Sequence, residues 1–205
     1  MTKIDFKKEW KDLYCPSKKD FRIVKVPLLK YLMVDGQGDP NSAPEYGAAV
    51  ETLFAVAYKI KFFSKKSGQD YVVPPLEGLW WAEDMESFTA ARDKSQWDWT
   101  MMIMTPDWIT EEDFIQSAEE AAQKKDLTAL GKLRLEDYRE GLCVQILHLG
   151  SYDDEGPVLS RLHQEWMPEN GYDSSGKHHE IYLSDPRRVS PEKLKTILRQ
   201  PIRKI

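Results

Sequence analysis

The sequence is poor in cysteine and has no long apolar run, and each absence excludes a class of protein. Its 205 residues include two cysteines, Cys15 and Cys143, which are too few and too far apart for a disulfide framework or a cysteine-rich metal site. No stretch approaches the roughly 20 apolar residues that a bilayer span requires. The N-terminus is charged from Lys3 onward and lacks the apolar core of a secretory signal. These features predict a cytoplasmic protein with reduced thiols and no membrane partner.

Sequence motifs for several catalytic classes are missing as well. There is no G-x-S-x-G elbow, no GK[ST] phosphate loop and no G-x-G-x-x-G fingerprint, which argues against triad hydrolases, nucleotide kinases and dinucleotide enzymes. The four histidines have no metal-binding spacing, so we predict no metal and no cofactor, and structural or surface roles for His178 and His179. A net charge of -5 argues against nucleic acid as a partner.

What the sequence does contain is hydrophobic periodicity that changes between strand and helix. The first half has the pattern of a strand over 21–34, a helix over about 43–63, and strands over 71–81 and 97–104. The second half repeats the order of strand, glycine-containing loop and helix. The repeated order favours an α+β fold made by tandem duplication of a βαββ module, with a ligand groove between the two halves.

The elements of the second half are each marked by a local signal. A strand begins at Leu142, Pro157 suits the first turn of a helix, and a further strand covers 178–183. Ser190 and the residues after it have the pattern of a closing helix that carries Leu194, Ile197 and Leu198.

Two helix starts have the capping-box pattern, in which a hydroxyl side chain and an acid three residues later satisfy the first backbone N–H groups. Ser42 with Glu45 precedes the helix of the first half. Thr110 with Asp113 precedes a helix whose apolar spacing continues toward Tyr138. We expect this helical segment to bridge the two halves.

These boundaries divide the chain into an N-terminal extension and one domain. The extension covers 1–20, and the domain covers 21–205. Within the domain we place module one at about 21–104, a bridging helical segment at about 108–140 and module two at about 142–205.

The segment HHEIYL at 178–183 is the most informative for chemistry. Alternation along a strand places Glu180 and Tyr182 on one face, and Ile181 on the opposite face. If the Ile181 face packs against the core, the carboxylate and the phenol line a groove where the halves meet. The alternative, an ordinary sheet with one wet face, fits the pattern equally well.

Seven tryptophans are many for a chain of this length, and several cluster between residues 80 and 108. Large aromatic side chains offer stacking surface to flat ligands and, beside a carboxylate, a site for cations. The alternative is that most of them fill the core. The candidate ligand-binding residues are Trp80, Trp81, Trp97, Trp99, Tyr138 and His148.

Three stretches of the sequence resemble a known family. They are YLMVDGQGDP at 31–40, GLCVQILHLGSYDDE at 141–155 and the tail at 178–201. Together they are similar to the GyrI-like small-molecule-binding family, in particular to its stand-alone branch, over roughly 20–202. The resemblance implies two tandem βαββ modules of the SHS2-like kind that form a groove. It also implies a small molecule as the partner.

The resemblance carries expectations about activity. In related regulators a buried glutamate on a late strand meets cationic ligands, and Glu180 matches that position. Some stand-alone members are hydrolases of cyclopropane-bearing genotoxic natural products, which implies a role in detoxification. The chain carries no recognisable DNA-binding domain, so we do not expect direct control of transcription.

Opening a cyclopropane conjugated to a carbonyl requires a base for the attacking water and a donor for the oxygen that gains charge. Glu180 suits the base, and we expect partial burial to raise its pKa. Tyr182 is expected to orient the water or donate a hydrogen bond. The other class of function is binding without turnover, in which the same groove sequesters or senses aromatic or cationic compounds. A weaker alternative is a protein that shields a larger enzyme through its acidic surface.

Overall fold

The computed structural model describes residues 2–83 and 93–205. In these residues, six antiparallel strands form a sheet that closes on itself, because the last strand of the ring pairs back with the first. A short seventh strand, β5 (Tyr172–Ser174), extends the edge of β7. The order around the ring is β4 (Arg134–Leu149), β1 (Arg22–Gln37), β3 (Asp98–Thr105), β2 (Leu76–Trp81), β6 (His178–Tyr182) and β7 (Lys195–Lys204).

The helices lie before and between these strands. The regular ones are α1 (Phe6–Glu9), α2 (Lys11–Tyr14), α3 (Pro44–Lys66), α4 (Glu111–Ala122), α5 (Gly156–Ser160) and α6 (Met167–Glu169). A π-helical stretch, Arg161–Trp166, joins α5 to α6. Short 3₁₀ turns cover Lys94–Gln96, Leu130–Lys132, Tyr152–Glu155 and Pro191–Lys193. We refer to residues 152–169 as the second helical segment.

The two halves have the same strand order. In the first half β3 lies between β1 and β2, and in the second half β7 lies between β4 and β6. The halves meet twice, through the antiparallel pairs β1–β4 and β2–β6. The predicted α+β class is therefore confirmed. The equal strand order agrees with a tandem duplication, which remains a prediction. Module one as predicted from the sequence includes residues 84–92, which lie outside the described residues.

The outer face of β1, β3 and β2 is covered by α3. The helix begins at Ala43, with Pro44 in its first turn, where the missing proline N–H costs no hydrogen bond. Leu53 and Ile60 lie on the buried face of this helix and belong to the same core cluster as Trp99 and other residues of the sheet. The predicted capping box at Ser42 is wrong, because the first turn is set by Pro44 and no side chain caps it. The box at Thr110 and Asp113 is confirmed at the start of α4.

Two predicted helices are strands. The residues after Ser190, predicted as a closing helix, form one 3₁₀ turn and then β7. The bridging helix, predicted to continue toward Tyr138, ends at Ala122. The strand β4 begins at Arg134 rather than at Leu142. β7 is buried on both faces, and a continuous apolar run cannot be distinguished from a buried helix by its spacing. The first part of β4 is polar because much of it remains in contact with solvent while it pairs with β1.

The N-terminal extension closes one end of the space inside the sheet. Phe6, Leu13 and Tyr14 are buried there, in a cluster with inward-facing residues of the strands. The carbonyl oxygen of Leu13 accepts a hydrogen bond from Arg199 Nη2 at 2.9 Å. The extension is therefore part of the folded core. Within the described ranges, no helix has the length and apolar character needed to cross a lipid bilayer.

A network of charged side chains lies inside the closed sheet. His179 Nδ1 is 2.9 Å from Glu140 Oε1, and His179 Nε2 is 3.0 Å from Glu77 Oε2. Carboxylates only accept hydrogen bonds, so both ring nitrogens donate and His179 is an imidazolium. Burial alone would lower the pKa of His179, but Glu140 and Glu77 raise it to about 9. Arg199 supplies the second cation, with Nη1 3.2 Å from Glu140 Oε2.

The remaining polar groups of this network are also paired. Tyr14 and Tyr31 direct their hydroxyl groups to Glu77, at 3.1 Å and 3.4 Å. Gln145 accepts from Arg199 Nε at 2.9 Å. Two carboxylates thus face two cations, which offsets the cost of removing all four charges from water. No pattern in the sequence predicts this network, because its members come from five different strands and from α2.

We expect His179→Gln to lower the free energy of unfolding at pH 7 by about 3 kcal/mol, because Glu77 and Glu140 would lose their shared cation. Since folding raises the pKa of His179, its stabilisation is complete below pH ~6.5 and is lost as the pH rises through about 9. Urea denaturation should show that slope in the wild type and not in the variant. His148→Gln, which removes one hydrogen bond to the Ser151 carbonyl, is the control and should keep the slope. Equal slopes in H179Q and the wild type would contradict a buried imidazolium.

Candidate functional site

A cavity of about 1080 Å³ lies between α3 and the second helical segment. Its floor is formed by β2 and β6, the strands through which the two halves meet, so it occupies the predicted position between the halves. The side chains that line it include Tyr46, Val50, Phe54, Trp80, Trp97, Tyr152, Glu155, His163, Glu180 and Tyr182.

Strand alternation directs Glu180 and Tyr182 of β6 into the cavity, as the sequence predicts, while Ile181 packs inside the closed sheet. The two cavity residues are joined in a short relay. Trp80 Nε1 donates to the Tyr182 hydroxyl oxygen at 2.9 Å, and this hydroxyl donates to Glu180 Oε2 at 2.8 Å. The Tyr182 hydroxyl group thus holds Glu180 in place, and its role toward water or substrate stays a prediction.

Gly78 makes room for this relay. It lies opposite Glu180 in the register of β2 and β6. A Cβ atom at this position would lie 2.8 Å from Trp80 Nε1 and 3.2 Å from the Tyr182 hydroxyl oxygen. The indole and the phenol can therefore approach each other over the strand only because residue 78 has no side chain.

Glu180 is ionised at neutral pH despite its burial. Burial alone would raise its pKa, but hydrogen bonds from His178, Tyr182 and Glu155 lower it. His178 Nε2 lies 3.5 Å from Glu180 Oε1. The expectation of a raised pKa is wrong, because the polar neighbours that stabilise the charged form outweigh the aromatic surroundings.

Tyr182, Tyr152 and His163, which also line the cavity, stay neutral at pH 7. Burial and the charge of Glu180 raise the pKa of Tyr182 well above its usual value, and they raise that of Tyr152 to about 12. Burial and the neighbouring His178 lower the pKa of His163 to about 4.

Aromatic rings form the walls above the carboxylate. Tyr46 is stacked on Trp80 with ring centres 6.2 Å apart, and Trp97 meets Trp80 edge-on at 5.7 Å. Tyr152 meets Tyr182 edge-on at 5.6 Å from the other side. A flat ligand between these walls would contact ring faces contributed by both halves.

Four of the predicted site residues line the cavity, namely Trp80, Trp97, Glu180 and Tyr182. The other four predicted residues, Trp81, Trp99, Tyr138 and His148, do not line the cavity, and for these the prediction is corrected. Trp99 is fully buried beneath α3, with its ring against Gly36. Trp81 alternates away from Trp80 and carries Lys177 Nζ 3.2 Å from its ring centre. Tyr138 packs with Tyr31 inside the sheet, and His148 bonds to the Ser151 carbonyl.

Several lining residues escaped the sequence analysis. Tyr46 and Phe54 lie on the apolar face of α3. This face is wide enough for one part to pack on the core and another part to line the cavity. Glu155 and His163 lie on the second helical segment, where no periodic pattern distinguishes them.

Comparison with known proteins identifies the family. Residues 19–203 match the GyrI-like small molecule binding domain, and the chain belongs to this family, as its sequence predicts. A crystal structure of an uncharacterized conserved protein from Listeria innocua is 43% identical, with a TM-score of 0.89, over 98% of this chain and 100% of the other. A crystal structure of a hydrolase from Listeria innocua is also 43% identical, with a TM-score of 0.87 over the same shares.

A more distant structure shares the fold alone. The EcmrR C-terminal domain is 13% identical, with a TM-score of 0.57, over 91% of this chain and 98% of that domain. The search of curated proteins gave no match. The family membership establishes a small-molecule-binding domain.

Tyr182→Phe should lower the free energy of unfolding at pH 7 by about 1–2 kcal/mol, because the buried Trp80 N–H loses its acceptor and Glu180 loses a donor. The pKa of Glu180 should rise at the same time, since one hydrogen bond to its charged form is gone. Chemical denaturation measures the first effect. Tyr58→Phe, on a half-exposed ring of α3, is the control and should change stability by less than about 0.5 kcal/mol. Unchanged stability in Y182F would show that the relay contributes nothing.

Proposed function

We propose that this protein binds planar, electrophilic small molecules in the aromatic cavity and hydrolyses them with Glu180 assisting the attack of water. Cyclopropane-bearing genotoxic compounds are the proposed substrates, and detoxification is the proposed role. The observation that carries the proposal is an ionised, buried carboxylate on the floor of an aromatic cavity, held in place by Tyr182.

The proposed reaction uses the geometry of the floor. A flat ring system enters between Tyr46 and Tyr152, which places its edge over Glu180. Glu180 takes a proton from a water molecule as the oxygen of that water bonds to the strained carbon. The ring C–C bond breaks at the same time, and its electron pair moves through the conjugated system to the carbonyl oxygen. That oxygen is then protonated, so that one water is added to the substrate overall. The Tyr182 hydrogen bond fixes the direction of the carboxylate, so that orientation is established before the substrate arrives. No covalent intermediate with the protein and no cofactor take part in this proposal.

Two findings support a hydrolase. A structure from Listeria innocua that covers nearly the whole chain at 43% identity is described as a hydrolase. The cavity also combines a base with a volume suited to a ligand of several fused rings. The choice of a cyclopropane-bearing substrate rests on the sequence resemblance to the stand-alone branch.

The second candidate function is binding without turnover. The carboxylate of Glu180 already accepts a hydrogen bond from the Tyr182 hydroxyl group, so it can serve as a fixed negative charge. A buried carboxylate among aromatic rings attracts aromatic cations. This arrangement would sequester or sense such compounds without chemical change.

The domain boundaries and the duplication are also proposed. A duplicated βαββ module is supported by the equal strand order of the two halves and by their two matching junctions. The extension at 1–20 would then be an addition that seals the interior, and the domain at 21–205 would carry the cavity.

Glu180→Gln should abolish turnover of a cyclopropane-bearing compound, by about 100-fold or more, while the fold and the cavity shape survive. The measurement is turnover with substrate in excess over protein, which separates a catalyst from a stoichiometric binder. Glu165→Gln, an exposed position on the second helical segment, is the matched control and should turn over normally. Full activity in E180Q would remove the general-base role, and wild-type protein that stops after one equivalent would favour sequestration.

Aromatic contacts rather than charge should dominate the affinity for a flat neutral ligand. Each stacked ring is worth roughly 1 kcal/mol beyond its buried area, so Trp97→Ala should weaken binding about fivefold or more. Tryptophan fluorescence titrations at low and high salt should give nearly equal affinities. Trp81→Ala, outside the cavity, is the control and should bind like the wild type. A steep loss of affinity with salt would show that charge holds the ligand.

A further inference from the structure

We propose that Tyr46 and His163 are the residues by which the cavity selects its ligand, and that this ligand is a planar heteroaromatic compound whose oxygen or nitrogen atoms form hydrogen bonds with both side chains. The inference rests on the proposed function, because it concerns the same cavity, and it deepens that function by naming the chemical class of the ligand. Neither side chain takes part in the proposed attack of water, so their roles can be tested apart from turnover.

The two side chains reach the cavity from its two sides. Tyr46 belongs to the first turn of α3, and His163 belongs to the π-helical stretch Arg161–Trp166. Both are half-buried and both line the cavity. π-Helical turns inside helices are frequent at functional sites. Because the cavity lies between these two elements, a ligand that fills it would meet one hydrogen-bonding side chain from each side.

Both side chains are held in place while their polar atoms stay unpaired. In the part of the chain that the structure describes, neither the Tyr46 hydroxyl group nor the His163 ring has a hydrogen-bond partner. The ring of Tyr46 is nevertheless packed on two sides. It is stacked on Trp80 with ring centres 6.2 Å apart, and it meets Trp99 edge-on at 5.5 Å. Its hydroxyl group is therefore oriented by ring packing and is available to a ligand.

Other polar side chains of the cavity are paired with each other. Ser160 Oγ donates to Gln164 Oε1 at 2.8 Å, and Lys94 Nζ lies 2.8 Å from Asp153 Oδ1. Polar groups that are already used within the protein gain little from a ligand. Binding cavities are mainly apolar and owe their specificity to a small number of well-placed polar groups. The two unpaired side chains are suited to that role.

Each of the two side chains can both donate and accept a hydrogen bond. Burial, together with the neighbouring His178, lowers the pKa of His163 to about 4, so the ring is neutral at pH 7. A neutral imidazole has one N–H donor and one acceptor nitrogen. Burial and the charge of Glu180 raise the pKa of Tyr46, so the phenol keeps its proton. A ligand can therefore pair with either side chain through a carbonyl oxygen or an N–H group.

A flat hydrocarbon of the same shape would bind less well for a physical reason. It would displace water from both side chains without replacing the hydrogen bonds of that water. A polar group that is cut off from water and left without a partner is unfavourable. A site that pairs with a polar atom of its ligand therefore discriminates strongly against an analogue that lacks this atom.

Acridone and anthracene test the inference, because these flat molecules have nearly the same shape and only acridone carries a carbonyl oxygen and an N–H group. The measured quantity is the ratio of their dissociation constants, from fluorescence titrations of the wild type and of each variant. Tyr46→Phe and His163→Leu should each reduce the preference for acridone about fivefold, because each removes one hydrogen bond. The different hydration of the two compounds cancels, since it is the same for every protein.

Two control variants remove the same chemical groups elsewhere. Tyr58→Phe, on a half-exposed ring of α3, and His148→Gln, outside the cavity, should keep the preference of the wild type. An unchanged preference in Y46F or in H163L would overturn the role of that residue. Equal weakening of both ligands would show a loss of cavity shape instead of a lost hydrogen bond, and it would overturn the inference. Failure of acridone to bind the wild type would do the same.

A second readout reports on the histidine directly. In protein labelled with nitrogen-15 histidine, the ring signals of His163 are identified by their loss in H163L. They should shift more with acridone than with anthracene, because a hydrogen bond changes the shielding of a ring nitrogen, and equal shifts would contradict the proposed bond. The proposed function can fail separately. A wild type that prefers acridone but turns over no cyclopropane-bearing compound would lack the chemistry and keep the selection.

Discussion

The antiparallel register between β2 and β6 is the constraint on which the rest of the structure depends. It sets Gly78 opposite Glu180 and Leu79 opposite His179, and it joins the two halves at the floor of the cavity. Side chains alternate across a strand, so this one register determines both faces at once. On the face that lines the cavity, it brings Trp80 next to Tyr182 and Glu180. On the face inside the closed sheet, it brings His179 next to Glu77. A slip of one residue would exchange the faces and leave carboxylates among the aliphatic side chains of the core.

The charged network inside the sheet gives that register its specificity. Apolar side chains would tolerate a shift of β6 along β2, because one aliphatic contact resembles another. The imidazolium of His179 does not, since it must meet Glu140 on one side and Glu77 on the other. Removing one partner would leave a buried charge without compensation, at a cost of several kcal/mol. The network that stabilises the interior therefore also aligns the cavity floor, although none of its members lines the cavity.

The sequence predicted what depends on local periodicity and missed what depends on topology. Alternation was sufficient to place Glu180 and Tyr182 on one face, and helical spacing was sufficient to find α3. The spacing failed for β7, which is buried on both faces, and for the tryptophans, since Trp99 is covered by α3 and Trp80 is not wholly covered. Glu155, Glu77 and Arg199 acquire their meaning only from partners far away in the chain, and no local pattern encodes such a partner.

The low pKa of Glu180 limits the chemistry that it can perform. A carboxylate whose pKa is lowered by polar neighbours stays ionised at neutral pH, but it is a weaker base than a free carboxylate. Such a base suits a reaction whose driving force comes from the substrate, and a strained ring supplies that driving force. A ligand that fills the cavity would also expel water from around Glu180, and the carboxylate would become more basic when the substrate is in place. The same site would be a poor catalyst for unstrained amides, because the substrate then provides no release of ring strain. Hydrolysis of an amide requires a stronger base or an activated nucleophile.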